Sequence, residues 1–149
     1  MTNRLIIFCV LLMCTSCKNE NGLLSPSEEL LSTPTWNIQE ATGKGAGYDY
    51  LYRLGQGPDP FQFSKVRIKL NSNGTVTGTD NNGNPIKDAS WKYYGSEKRM
   101  EISGTGVFGI DGSQEVLVLE VSIVKIKNLL KVPQLNAIVE LNATLVPTK

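Results

Sequence analysis

The stretch Lys65-Val-Arg-Ile-Lys-Leu-Asn-Ser-Asn-Gly-Thr-Val-Thr-Gly-Thr79 decides the fold class. Val66, Ile68 and Leu70 alternate with Lys65, Arg67 and Lys69, which puts apolar side chains on one strand face and charges on the other. Asn71-Ser-Asn-Gly74 then supplies turn residues, and Thr75–Thr79 brings the chain back. The segment reads as a hairpin with one buried and one wet face.

The same period of two recurs on both sides. Upstream lie Trp36-Asn-Ile-Gln-Glu-Ala41 and Tyr48-Asp-Tyr-Leu-Tyr-Arg53. Downstream, Ser90-Trp-Lys-Tyr-Tyr94 sets Trp91 and Tyr93 on one side, and Met100-Glu-Ile-Ser103 does the same with Met100 and Ile102. Residues 115–127 read as the longest strand, with Leu117, Leu119, Val121 and Ile123 facing inward and Glu120 and Ser122 outward. Residues 126–135, which include Leu129, Leu130 and Pro133, read as a loop or short strand. In residues 137–145, Val139, Leu141 and Leu145 oppose Glu140, Asn142 and Thr144. An open sheet of about eight strands would leave two exposed edges. Consecutive hairpins therefore predict an all-β fold, an antiparallel up-and-down β-barrel of about eight strands, with a β-sandwich as the alternative.

Ahead of the strands, Ser25-Pro-Ser-Glu-Glu29 has a capping residue, an early proline and first-turn acids. It predicts a short helical turn whose Leu30 and Leu31 would plug one end of a barrel, ended by Thr33-Pro34.

The first residues carry Arg4, an apolar run over residues 5–13, and then Cys14-Thr-Ser-Cys17. This is the layout of an export signal. The run is far shorter than the ~20 apolar residues a membrane span needs. All three cysteines (Cys9, Cys14 and Cys17) fall in this segment, so removal of residues 1–16 leaves one thiol, at the new N-terminus. Ser16-Cys17 resembles the lipobox of bacterial lipoproteins, although Cys14 stands where that pattern has Leu. The resemblance implies acylation of Cys17 and a membrane partner reached through the lipid. Lys18-Asn-Glu-Asn21 is similar to stretches that send Gram-negative lipoproteins to the outer face of the outer membrane; a periplasm-facing position is the alternative. The expected organisation is a signal peptide over residues 1–16, a tether with a helical turn over 17–33, and a barrel over 34–149.

Without residues 1–16 the chain has 14 basic residues, one fewer than the full 15, against 14 acidic ones. A neutral balance gives no reason to expect a nucleic-acid partner. The chain has no histidine, which excludes Ser-His-Asp and Cys-His catalysis and His-based zinc centres. We therefore expect a non-catalytic protein with no cofactor.

The body resembles the lipocalin-like domains of small bacterial lipoproteins. The resemblance rests on Trp36 opening the first strand, the hairpin over residues 68–76, and Trp91 in Ala89-Ser-Trp-Lys-Tyr93. It implies an eight-stranded barrel, in some cases with a small apolar ligand inside.

Tyr48, Tyr50 and Tyr52 share one strand face and could stack on a sugar or flat apolar ligand at a barrel mouth. Trp36, Trp91 and Tyr93 are further ligand-contact candidates. Core packing is the competing reading for all six. Gly43-Lys-Gly-Ala-Gly47 lacks the order of a phosphate loop and reads as a loop. Asp80-Asn-Asn-Gly-Asn84 lacks the ligand spacing of a calcium loop and reads as a turn. Lys65, Arg67 and Lys69 read as a solvated outer row. The expected function is a membrane-anchored envelope lipoprotein that binds a small apolar or sugar-like ligand. The alternative is a protein-interaction module such as an inhibitor, adhesin or accessory subunit.

Overall fold

Period-two burial organises most of the chain in the computed structural model, which describes residues 23–45, 47–132 and 136–149. A short helix, α1 (Pro26–Ser32), precedes nine strands. These are β1 (Trp36–Gly45), β2 (Tyr48–Arg53), β3 (Arg67–Leu70), β4 (Thr75–Thr79), β5 (Ala89–Tyr94), β6 (Arg99–Ser103), β7 (Gly112–Glu120), β8 (Ile123–Val132) and β9 (Ala137–Pro147). From β3 to β9 each strand pairs with the next, antiparallel, and β9 returns to β1. That closes an eight-stranded barrel, with β2 as an extra strand attached to β1. The architecture is compatible with the lipocalin-like resemblance.

β1 serves three neighbours. One edge pairs with β9 from Trp36↔Pro147 to Lys44↔Glu140. On its other edge, Trp36 meets Ile68 of β3 and residues 40–45 meet β2. Closure between β1 and β3 therefore rests on a single residue pair.

Strand directions define two ends. The helix end carries α1, the β3–β4 turn and the β7–β8 turn. The loop end carries the connections over residues 54–66, 80–88 and 104–111. A continuous apolar core joins them, from Leu31 of α1 through Trp36, Ile68 and Met100 to Val107 and Ile110.

The helix forms as its sequence predicts. The Ser25 hydroxyl accepts the Glu28 N–H, and the Glu28 carboxylate accepts the Ser25 N–H, a reciprocal cap. Lys69 of β3 donates its Nζ to the carbonyls of Ser32 (2.6 Å) and Thr33 (2.7 Å), which fixes the last turn to the barrel. The basic row is thus tied down: Arg67 donates to the Ser64 and Val66 carbonyls, and Lys65 to the Gln62 side chain. At Gly78, φ is +139°, and a Cβ would stand 1.9 Å from the Arg67 carbonyl oxygen. Only glycine lets β3 and β4 approach so closely.

Three expectations need correction. Residues 115–127 are two strands, β7 and β8, joined by a tight turn at Val121 and Ser122. On β7 the inward residues are Gln114 and Val116, while Leu117 is exposed and Val121 is 72% exposed. A bulge between Val116 and Val118 then changes the phase, so that Leu119 packs on the core. An unbroken apolar run suits either face, and no Gly, Asn or Pro marks the turn. Secondly, residues through Val132 belong to β8, paired with β9 from Val124↔Leu145 to Val132↔Ala137. Pro133 and Leu135 lie outside the described residues. Thirdly, Gly43-Lys-Gly45 is strand rather than loop, because β2 and β9 satisfy its backbone on both edges.

Candidate functional site

The predicted aromatic residues fall in three places. Trp36 is 1% exposed and donates its indole N–H to the Leu31 carbonyl (2.8 Å), under the helix plug. Trp91 is buried beside the β3–β4 turn and donates its indole N–H to the Asn71 carbonyl (2.7 Å). Tyr93, partly buried, packs against the core on the same strand. Tyr50 and Tyr52 point inward at the loop end, across from Gly43 and Ala41, whose small size leaves room for the rings. Tyr48 pairs through its backbone with Gly45, and its side chain lies outside the described part. Cys17 also lies outside the described residues. The six aromatic candidates do not converge on one mouth.

What closes the loop end is an aromatic cluster. The Tyr50 ring meets Phe61 edge-on (4.9 Å), Tyr52 lies 5.4 Å from Phe63, and Phe61 stacks on Phe108 at 4.5 Å. Asn81 stitches it together. Its Nδ2 donates to the Phe61 carbonyl (2.5 Å), and its Oδ1 accepts the Phe108 N–H (2.9 Å). Asp59 holds the short 3-10 turn Phe63–Lys65 by accepting the N–H groups of Phe63 and Ser64. Asp80 accepts the N–H groups of Asn82 and Asn84, which makes residues 80–84 the expected turn. The Asp80 carboxyl titrates below its ordinary range, because those donated hydrogen bonds outweigh a desolvation effect that raises it.

Among the described residues, the Tyr52 hydroxyl and Oε1 of Gln114 are buried without a hydrogen-bond partner. Gln114 is fully buried, and its Nε2 donates to the Ile110 carbonyl (2.7 Å). Burial raises the Tyr52 phenol above its ordinary value; nearby Asp59 raises it further, and Arg67 opposes.

A groove of about 660 Å³ lies on the outer wall at the loop end. Among the described residues, β7–β8 pairing runs from Glu120↔Ile123 to Glu115↔Lys127 and stops there. Beyond that point residues 112–114 of β7 follow β6, whereas residues 128–132 of β8 follow β9. The strands part, and the groove lies between Gly112 and Ser113 on one side and residues 128–131 on the other. Behind it, Asn128 donates its Nδ2 to the carbonyls of Gly109 (3.1 Å) and Asp111 (3.2 Å). Asp111 in turn accepts from Thr105 and Gly106, folding residues 104–111 over the core.

Several charges on the groove rim are paired, and Lys131 and Asp111 balance each other in sign. Lys127 meets Glu115 at 2.5 Å, and Arg99 meets Glu97 at 2.8 Å and also Glu101. The Glu101 carboxyl is held below its ordinary range by the Tyr94 hydroxyl and then by Arg99. Lys127 is raised by its hydrogen bond to Glu115. Such exposed pairs add little stability, so the rim is nearly neutral and adaptable.

Sequence reasoning missed this groove. No local pattern marks Asn128 and Gln114 as interior: Asn128 bonds to carbonyls 17 and 19 residues away, and Gln114 to Ile110 of the same loop. Among the described residues, no group of three or more His, Cys, Asp or Glu is placed to hold a metal ion. The chain matches no protein-family model and no curated protein.

Proposed function

We propose that this chain is a non-catalytic lipoprotein of the cell envelope that presents its barrel to a protein partner. In this reading residues 1–16 are removed, Cys17 is acylated, and the lipid holds the protein in the outer membrane of a Gram-negative cell, facing the surface. The barrel's occupied interior carries the choice of a protein partner over an enclosed ligand. Trp36, Tyr52, Phe63, Met100 and Ile126 are each at most 1% exposed within one core, whereas the groove between β7 and β8 opens outward. An eight-stranded barrel is just wide enough for its own side chains to fill it.

The position of the tether supports the same reading. Residue 23 enters α1 at the helix end. A protein held from that end would present its loop end, with the parted strands, away from the bilayer.

Binding of a small apolar or sugar-like ligand is the second reading. It is favoured by the Tyr52 hydroxyl and Gln114 Oε1, two buried acceptors that a polar ligand atom or an ordered water would satisfy. Native mass spectrometry of the protein purified without residues 1–16 distinguishes the readings. Co-purification of a small molecule, with a shift in Trp emission on its removal, favours the ligand. The anchor is tested by labelling cells with an alkyne fatty acid. Label is expected on the native chain and none on Cys17→Ala. The display reading fails if photo-crosslinkers placed around the loop end in intact cells recover no repeatable protein.

A further inference from the structure

The geometry points to the parted β7–β8 seam as a strand-addition site, where an extended segment of the partner polypeptide pairs with the free edge of β8. This rests on the reading of the protein as an interaction module and specifies which surface it uses and what form of partner it takes.

In an antiparallel ladder, alternate residues direct their N–H and C=O groups toward opposite edges. Over residues 128–132, β9 occupies one edge of β8, and among the described residues β7 has left the other. An exposed row of backbone donors and acceptors is a template for another strand, and natural barrels remove such edges by closure. Among the described residues the β7–β8 seam parts at its loop end, while β8 and β9 remain paired through Val132↔Ala137. The edge is therefore held straight and extended by its neighbour, as an acceptor of a new strand needs to be.

The side chains along the edge fit the same role. Leu129 is 62% exposed and Ile138 is 63% exposed, and the register sets Lys131 opposite Ile138, so both apolar residues lie on the outer face of one arm. Charge at such positions protects an edge; here Lys131 supplies it at one position, while Leu129 leaves the next outward position apolar. The neighbouring ions are already engaged with each other: Lys127 with Glu115, and Arg99 with Glu97. A neutral segment with alternating apolar side chains is the matching partner chemistry.

The groove's walls restrict the shape of the occupant. One wall is Gly112 and Ser113, with no bulk at Gly112, and the other is residues 128–131. A single extended segment is one strand thick and enters such a slot. A second copy of this barrel would have to offer its β2 edge, which is backed by β1 and so brings a sheet rather than a single strand. The floor is sealed by Asn128 bonded to Gly109 and Asp111, so the entrant stays on the outer wall and does not displace the core.

The test begins with selection of linear random peptides displayed on phage against the acylated protein, without residues 1–16, in detergent. Selected peptides are expected to alternate apolar residues and to slow amide exchange over residues 128–131. Leu129→Lys places a charge on the edge at an already exposed position and is expected to weaken binding about tenfold, equivalent to ~1.4 kcal/mol. A peptide N-methylated at alternate amides is expected to lose at least as much, because methylation removes the pairing donors. Leu51→Lys, half-exposed on the outer face of β2, is the control and keeps full affinity. The inference is overturned if no peptide is selected, if Leu129→Lys binds as well as wild type, or if protection appears elsewhere. A crosslinker at Leu129 in cells separates the two levels of the account. A repeatable partner captured at other loop-end positions, but never at Leu129, sinks strand addition and leaves the display reading standing. No partner at any position sinks both.

Discussion

The two ends of this barrel are closed by opposite means. At the helix end a local element does the work: α1 caps itself through Ser25 and Glu28, inserts Leu31, and receives the Trp36 indole and the Lys69 ammonium on its last carbonyls. At the loop end there is no plug of regular structure. Rings from residues 54–66 and 104–111 stack there, Asn81 binds the 80–88 connection to both, Asn128 ties β8 to residues 104–111, and Asp111 braces that connection from within. The difference shows how a small barrel combines stability with a usable opening. One end is packed apolar surface, which is costly to disrupt. The other joins an aromatic cluster to single side-chain hydrogen bonds from Asn81 and Asn128, and there the wall itself parts.

The largest contrast should appear at the helix end. Trp36→Ala removes a fully buried indole at the single pair joining β1 to β3, and should cost ~3–5 kcal/mol in urea unfolding. Phe61→Ala at the loop end, where the ring is only partly buried, should cost clearly less. Equal losses would break the comparison. The next effect belongs to the loop end. Asn128→Ala leaves the Gly109 and Asp111 carbonyls without their donor and should cost ~1–3 kcal/mol. It should also speed amide exchange over residues 104–111 while leaving that of α1 unchanged.

Ser25→Ala is a smaller perturbation, expected at ~1 kcal/mol, with loss of helical signal confined to α1. Tyr52→Phe should be the mildest, within ~0.5 kcal/mol at neutral pH, because the hydroxyl it removes has no partner. Its signature lies in alkali. The folded-state phenol titrates above its ordinary value of 10.0, so the unfolded chain ionises first and stability falls as pH rises past that point. Tyr52→Phe should flatten that fall, measured by denaturation between about pH 9 and 11. An unchanged slope would mean that the phenol is not buried from solvent.

Much of the helix end could be read from the residues alone. The Val66, Ile68 and Leu70 alternation, the Asn71–Gly74 turn and the Ser25–Glu28 cap are local patterns, and each acts through neighbours close in sequence. The strand pairing that closes the barrel followed from period two and the need to remove edges. The loop end was not legible in the same way. Asn128 and Gln114 sit at strand positions where a polar residue ordinarily faces water; Asn128 is buried against carbonyls 17 and 19 residues away, and Gln114 against Ile110 of that same loop. The β7–β8 turn at Val121 and Ser122 has no turn chemistry, so one long apolar run concealed two strands and a change of phase. Of the aromatic candidates, Trp36 and Trp91 proved to be structural anchors, whereas Phe61 and Phe108 in the capping loops form the closure at the end Tyr50 and Tyr52 face.

The central claim is that the wall parts between β7 and β8 at the loop end while β8 and β9 stay paired. Cross-strand Hα and amide contacts measured by nuclear magnetic resonance address it directly. The account predicts contacts for Glu115 with Lys127 and for Val132 with Ala137, and none between Ser113 and the Leu129–Leu130 edge, whose outward amides exchange fast. Regular Ser113–Leu129 contacts with slowly exchanging amides would show a sealed seam, and would contradict the claim.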